Sequence, residues 1–76
     1  MNSYLIEYLI GGYGSLGRVC MYSGYAETHE EFLSKFWLQY EGMIDCVKPK
    51  IFHLFLCENG IKKEIELTFA QKTGKS

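Results

Sequence analysis

The sequence is poor in the residues that usually announce a function: it has one proline, two histidines and three cysteines among 76 residues. A single proline leaves no room for a polyproline or collagen-like segment. Cys20, Cys46 and Cys57 are an odd set without Cys-x-x-Cys spacing, which argues against a disulfide framework and for free thiols. Neither His29 nor His53 lies beside a cysteine pair, so no zinc-ligand spacing is present. No run approaches the roughly 18–20 apolar residues that a membrane-spanning helix needs. The opening Met1-Asn2-Ser3-Tyr4 lacks the basic region and cleavage site of a secretory leader, and a cytoplasmic chain is expected. Charge of one sign is missing too: eight Lys and Arg stand against nine Asp and Glu, a net charge of -1. That balance carries neither the basic footprint of a nucleic-acid binder nor the acidic surface of a DNA mimic.

What is present is a globular composition, 47% apolar and 22% charged, in a length that allows a single domain over residues 1–76. Tyr4-Leu5-Ile6-Glu7-Tyr8-Leu9-Ile10 is dense in β-formers and broken only by Glu7, which marks the outward face and sets Tyr4, Ile6, Tyr8 and Ile10 inward. Gly11 to Gly17 holds four glycines in seven residues and reads as a hairpin loop with Tyr13 and Leu16 at its tip. Arg18 to Tyr22 reads as the returning strand. Thr28-His29-Glu30-Glu31 is a capping box for a helix over 29–41, whose Phe32, Leu33, Phe36, Trp37 and Tyr40 form one apolar stripe. Gly42 suits the left-handed position after its last turn. Trp37 and Phe36 are both expected deep in the core.

Pro49 ends any helical continuation, and Ile51 to Cys57 is a nearly unbroken apolar run of strand length. Asn59-Gly60 predicts a type I′ turn, and Lys62 to Ala70 predicts the partner strand, with Ile65, Leu67 and Phe69 on one face. Residues 71–76 read as a polar tail. The fold class is therefore α+β: a ββαββ two-layer sandwich with a four-stranded antiparallel sheet and one helix on one face. Two strand orders fit, 2-1-3-4 and the β-grasp order 2-1-4-3.

Two constellations invite a chemical reading. Gly12-Tyr13-Gly14-Ser15-Leu16-Gly17 matches the dinucleotide fingerprint, but that motif needs a helix N-terminus after the loop to hold the pyrophosphate. The residues after Gly17 read as strand. No cofactor is therefore expected there, and the loop tip is assigned to partner contact through Tyr13 and Leu16. In the closing hairpin Phe52 is expected opposite Leu67 and Leu54 opposite Ile65 on the core side. His53 is then opposite Glu66, and Phe55 opposite Glu64, on the reverse side. His53 with Glu66 is read as a cross-strand ion pair, since no nucleophile lies within reach and no enzyme is expected. One helix covers one side of a sheet, which leaves Leu5, Leu9, Cys20, Tyr22, Ile51, His53 and Phe55 on the other. A contiguous apolar patch of that kind marks a partner or self-interface, and a homodimer through this face is one expectation.

The tyrosine-rich Ser3-Tyr4-Leu5-Ile6-Glu7-Tyr8, the Gly12-Tyr13-Gly14 loop and the short strand after it resemble small accessory proteins of phages and prophages. That resemblance implies a class that acts by binding a host protein or complex, including bacterial defence systems such as CRISPR effectors. With near-neutral charge, occlusion of a protein surface is the implied mode, with no metal, cofactor or membrane. The alternative is a small nucleic-acid or nucleotide-binding domain that uses the glycine-rich loop and aromatics of the sheet face.

Overall fold

A computed structural model of the protein describes residues 1–11, 17–43 and 48–74. The elements are β1 (Asn2–Ile10), β2 (Arg18–Ala26), α1 (His29–Leu38), β3 (Lys50–Glu58), β4 (Ile61–Ile65) and α2 (Phe69–Thr73). The fold is α+β, an antiparallel sheet in the order β2-β1-β3-β4 with two short helices. The expected ββαββ order is thus incomplete: a second helix closes the chain.

The glycine loop joins β1 to β2, and each residue of β1 from Asn2 to Ile10 has a partner in β2. β2 runs four residues beyond the expected Tyr22, through Ser23, Gly24, Tyr25 and Ala26. A glycine in mid-strand normally weakens it. Here it makes room: a Cβ on Gly24 would sit 3.1 Å from Cε1 of Phe32, whose ring lies over the strand.

α1 begins as expected, with the Thr28 hydroxyl accepting from the Glu31 amide at 3.2 Å. The Glu31 carboxylate reaches back past the cap and accepts from the Glu27 amide instead. The helix ends at Leu38, three residues before the expected boundary. Beyond it the chain tightens into successive i to i+3 bonds as far as Met43, and Gly42 takes the left-handed φ of 86°.

The core is aromatic at its centre. Tyr4, Ile6, Ala26, Phe32, Leu33, Phe36, Ile51, Leu54 and Leu67 form one buried cluster. Phe36 is fully buried and meets the rings of Tyr8, Tyr22, Trp37 and Tyr40 at centroid separations of 4.9, 5.5, 5.0 and 5.3 Å. Edge-to-face pairs of this kind add to the area they bury. Trp37 is only half-buried, because its far side faces α2 rather than the sheet. Its indole Nε1 donates to the carbonyl of Gln71 at 3.1 Å.

The last third of the chain departs most from expectation. The type I′ turn is present, with φ of 50° at Asn59 and 76° at Gly60, but β4 stops at Ile65. Thr68 then caps α2 reciprocally: its hydroxyl accepts from the Gln71 amide, and the Gln71 side chain accepts from the Thr68 amide. Phe69, expected on the inward face of the strand, is instead 73% exposed. Gly74 ends α2 in the left-handed region, pressed against the Trp37 ring.

Candidate interaction surface

β1 lies between β2 and β3 and pairs with both, so its alternation decides which side chains reach each face. Tyr4, Ile6 and Tyr8 meet the aromatic cluster of α1, as expected from Glu7. Ser3, Leu5, Glu7 and Leu9 therefore occupy the opposite face. The register extends this face in rows: Tyr25, Ser3, Cys57 and Lys62; then Ser23, Leu5, Phe55 and Glu64; then Met21, Glu7 and His53; then Val19, Leu9 and Lys50.

Of the residues expected on this face, Leu5, Leu9, His53 and Phe55 are there. Tyr22 and Ile51 are not. Tyr22 is the β2 partner of Ile6, and its ring lies 5.3 Å from that of Phe32, inside the fold. Cys20, the partner of Tyr8, goes with it. Ile51 is 2% exposed because β3 carries a bulge: Glu7 pairs with His53 and Tyr8 with Ile51, so Phe52 is passed over. The bulge turns Ile51 into the core and leaves Phe52 42% exposed, in a groove that it shares with Leu67 and not in the expected core. Tyr13 and Leu16 lie outside the described residues, and nothing is assigned to them.

The residues that sequence reasoning missed are Val19, Met21 and Tyr25, 58%, 68% and 65% exposed along β2. They flank half-buried Leu5 and Leu9 and make the β1–β2 half of the face apolar. Gly17 continues that half, since a Cβ there would come within 2.5 Å of the Leu9 side chain.

The β3–β4 half is dressed differently. His53 Nδ1 lies 3.3 Å from Glu64 Oε2, where Glu66 was expected. The β3–β4 register is the expected one, Leu54 with Ile65 and Phe55 with Glu64, but β4 ends at Ile65 and the imidazole reaches diagonally to Glu64. His53 also stacks on Phe55 at 5.7 Å, and the Lys62 ammonium sits 5.2 Å over the same ring. Phe55 is therefore covered from both sides by its own neighbours, and a base would have to displace a cation–π contact to stack on it. The carboxylates of Glu7 and Glu64 beside it repel phosphate.

Under the sheet, at the rim of the core, the Tyr8 hydroxyl bonds to that of Tyr40 and lies near the Cys20 thiol. The hydrogen bond to Tyr40, with burial second, pushes the Tyr8 pKa up to about 12. Cys20 and Cys57 are half-buried free thiols. Among the described residues no group of three or more His, Cys, Asp or Glu could hold a metal ion, and no helix is long and apolar enough to cross a membrane. The fingerprint glycines are followed by β2 rather than by a helix, so a phosphate at that loop would meet no helix N-terminus.

The grooves are shallow. One of about 340 Å³ lies between α1 and α2, lined by Glu30, Leu33, Ser34, Trp37 and Gln71. It has no acid, base and nucleophile set. No protein-family model, curated protein or solved structure matches the chain.

Proposed function

We propose that the protein is a non-enzymatic binding module that seats another protein on the sheet face bearing Leu5, Leu9, Val19, Met21 and Tyr25. The observation that carries this reading is the exposure of Val19, Met21 and Tyr25 along β2, beside Leu5 and Leu9 of β1. Such a patch is costly in water and is enriched in the aromatic and methionine side chains that interfaces favour. The charged side chains beside it, Glu7 on β1 with His53, Glu64 and Lys62 on β3 and β4, supply a polar rim with both signs, which suits a protein surface better than a phosphate backbone. The likeness to small phage proteins extends the proposal: the seated protein belongs to a host complex, which the chain disables by occlusion.

A photo-reactive residue at Tyr25 tests this in a bacterial host. It should give adducts with one protein other than itself, lost in Met21→Glu, while the same probe at exposed Glu41 gives none. Adducts to nucleic acid, or adducts indifferent to Met21→Glu, would favour the nucleic-acid alternative or remove the face from binding altogether.

A further inference from the structure

The sheet has two edges, and only one is guarded. β4 is five residues long and carries Lys62, Lys63 and Glu64, the short charged form that discourages strand pairing. β2 is nine residues long, with no proline and no charged residue after Arg18. Among the described residues no strand pairs with its outer edge. A long edge of this kind, without proline or inner charges, is a template for another strand.

We infer that the strand it takes is the β2 of a second copy of this chain, giving a two-fold dimer with a continuous sheet of four strands from each copy. The argument is self-complementarity. When a nine-residue strand pairs antiparallel with its own copy over its full length, the axis falls on its fifth residue, here Tyr22. Val19 then faces Tyr25 of the other copy, Met21 faces Ser23, Cys20 faces Gly24, and Arg18 faces Ala26. Arg18, Cys20 and Met21 each meet a small side chain, Val19 and Tyr25 form a β-branched and aromatic pair of the kind that stabilises sheets, and Tyr22 meets its own copy at the axis. The strand's one charge, Arg18, lies beside the other copy's Glu27.

Charges on α1 agree with the same axis. Tyr22 touches both Phe32 and Phe36, so the axis through it passes near the middle of α1. Lys35 lies on the edge side of that helix, where its ammonium donates to the Tyr25 carbonyl at 3.2 Å and pairs with Glu31 at 3.8 Å. Reversal about the axis brings Glu31 and Lys35 of one copy toward Lys35 and Glu31 of the other. The Tyr25 carbonyl has a second lone pair, so it can accept from the incoming strand as well.

The dimer also arranges the open face. It places the apolar β1–β2 halves of two copies side by side at the centre, with the charged β3–β4 halves on both flanks. That is the apolar core and polar rim of a binding surface. The inference stands on the edge alone, whatever the face binds.

Sedimentation of the full chain and two variants tests it. The wild type should sediment at twice its 8.8 kDa. V19K/Y25K sets like charges opposite each other across the axis and should lose the dimer, while V19K/Y25E sets opposite charges there and should keep it. Both sites are exposed, and unchanged circular dichroism would confirm that each variant is folded. A wild type that stays monomeric at its highest soluble concentration, a V19K/Y25K dimer, or a V19K/Y25E monomer would each overturn the inference. Failure of the heterologous adducts at Tyr25 with the dimer intact would instead remove only the binding face.

Discussion

Leu5 and Ile6 are neighbours in the chain and nearly the same size, yet they live on different sides of the sheet. Ile6 is fully buried among the aromatic rings. Leu5 sits in the row of Ser23, Phe55 and Glu64, half-covered by side chains of its own face. The chain has enough helix to cover one face well, and its largest side chains are spent there. On the other face it makes do with pairs, His53 with Glu64 and Lys62 over Phe55, and only on the half made by β3 and β4. The β1–β2 half has no such dressing. A buried face shows what holds a fold together, and an undressed one shows where its stability is not at stake. The two should therefore respond to substitution in opposite ways.

The largest contrast is expected from Phe36→Ala. Its ring touches four others and is fully buried, so truncation should cost about 3–5 kcal/mol, the range for large core aromatics. A domain of this size has little more than that in reserve, and urea or thermal unfolding should find the variant largely unfolded. A folded Phe36→Ala protein would mean that the cluster under α1 is not the centre of the fold.

A smaller effect, specific to the same face, is expected at high pH. The Tyr8 hydroxyl is held neutral by its bond to Tyr40, with its pKa raised from 10.0 to about 12. A group whose folded pKa is raised contributes stability that is fully present below the unfolded value and lost as pH rises through the folded one. The wild type should therefore lose stability between about pH 10 and pH 12 by this route. Tyr8→Phe removes that titration, and its melting temperature should fall less steeply across the same window than that of the wild type. Parallel alkaline limbs would show that Tyr8 titrates as it does in the unfolded chain.

The parts of this fold legible in the sequence are those set locally. Thr28 and the stripe from Phe32 to Tyr40 announce α1, Asn59-Gly60 announces the hairpin, and Glu7 alone settles the parity of β1. The parity of β2 is not local. Its outward set, Val19, Met21, Ser23 and Tyr25, carries bulkier apolar side chains than its inward Cys20, Gly24 and Ala26, with a tyrosine in each set, so hydrophobicity points the wrong way. What decides it is the space that Gly24 leaves for Phe32, a contact between distant elements. At β3 the bulge at Phe52 breaks the period of two, and a count back from Leu54 puts Ile51 on the wrong side. The cap of α2 was there to be read in Thr68 and Gln71. The alternation of Ile65, Leu67 and Phe69 continued the strand period over it, and a helix of five residues is too short to show a period of its own. These failures explain the candidate surface: the three residues misplaced onto it, Cys20, Tyr22 and Ile51, come from these two strands, and the three it lacked all come from β2.

The smallest effect on stability is expected from the open face, and there its smallness is the test. Met21 is 68% exposed and paired across the sheet with Glu7, whose carboxylate offers it no apolar cover. Met21→Thr keeps a strand-forming residue at a solvated position, so unfolding should shift by no more than about 0.5 kcal/mol, as for ordinary surface sites. The melting temperature would then match the wild type, while a function that depends on this face would weaken. A core position cannot give that combination, because loss of packing lowers stability and binding together. If Met21→Thr instead destabilised the fold by as much as a buried truncation, the β1–β2 half of the face would be covered from within the chain, and the difference between the two faces would disappear.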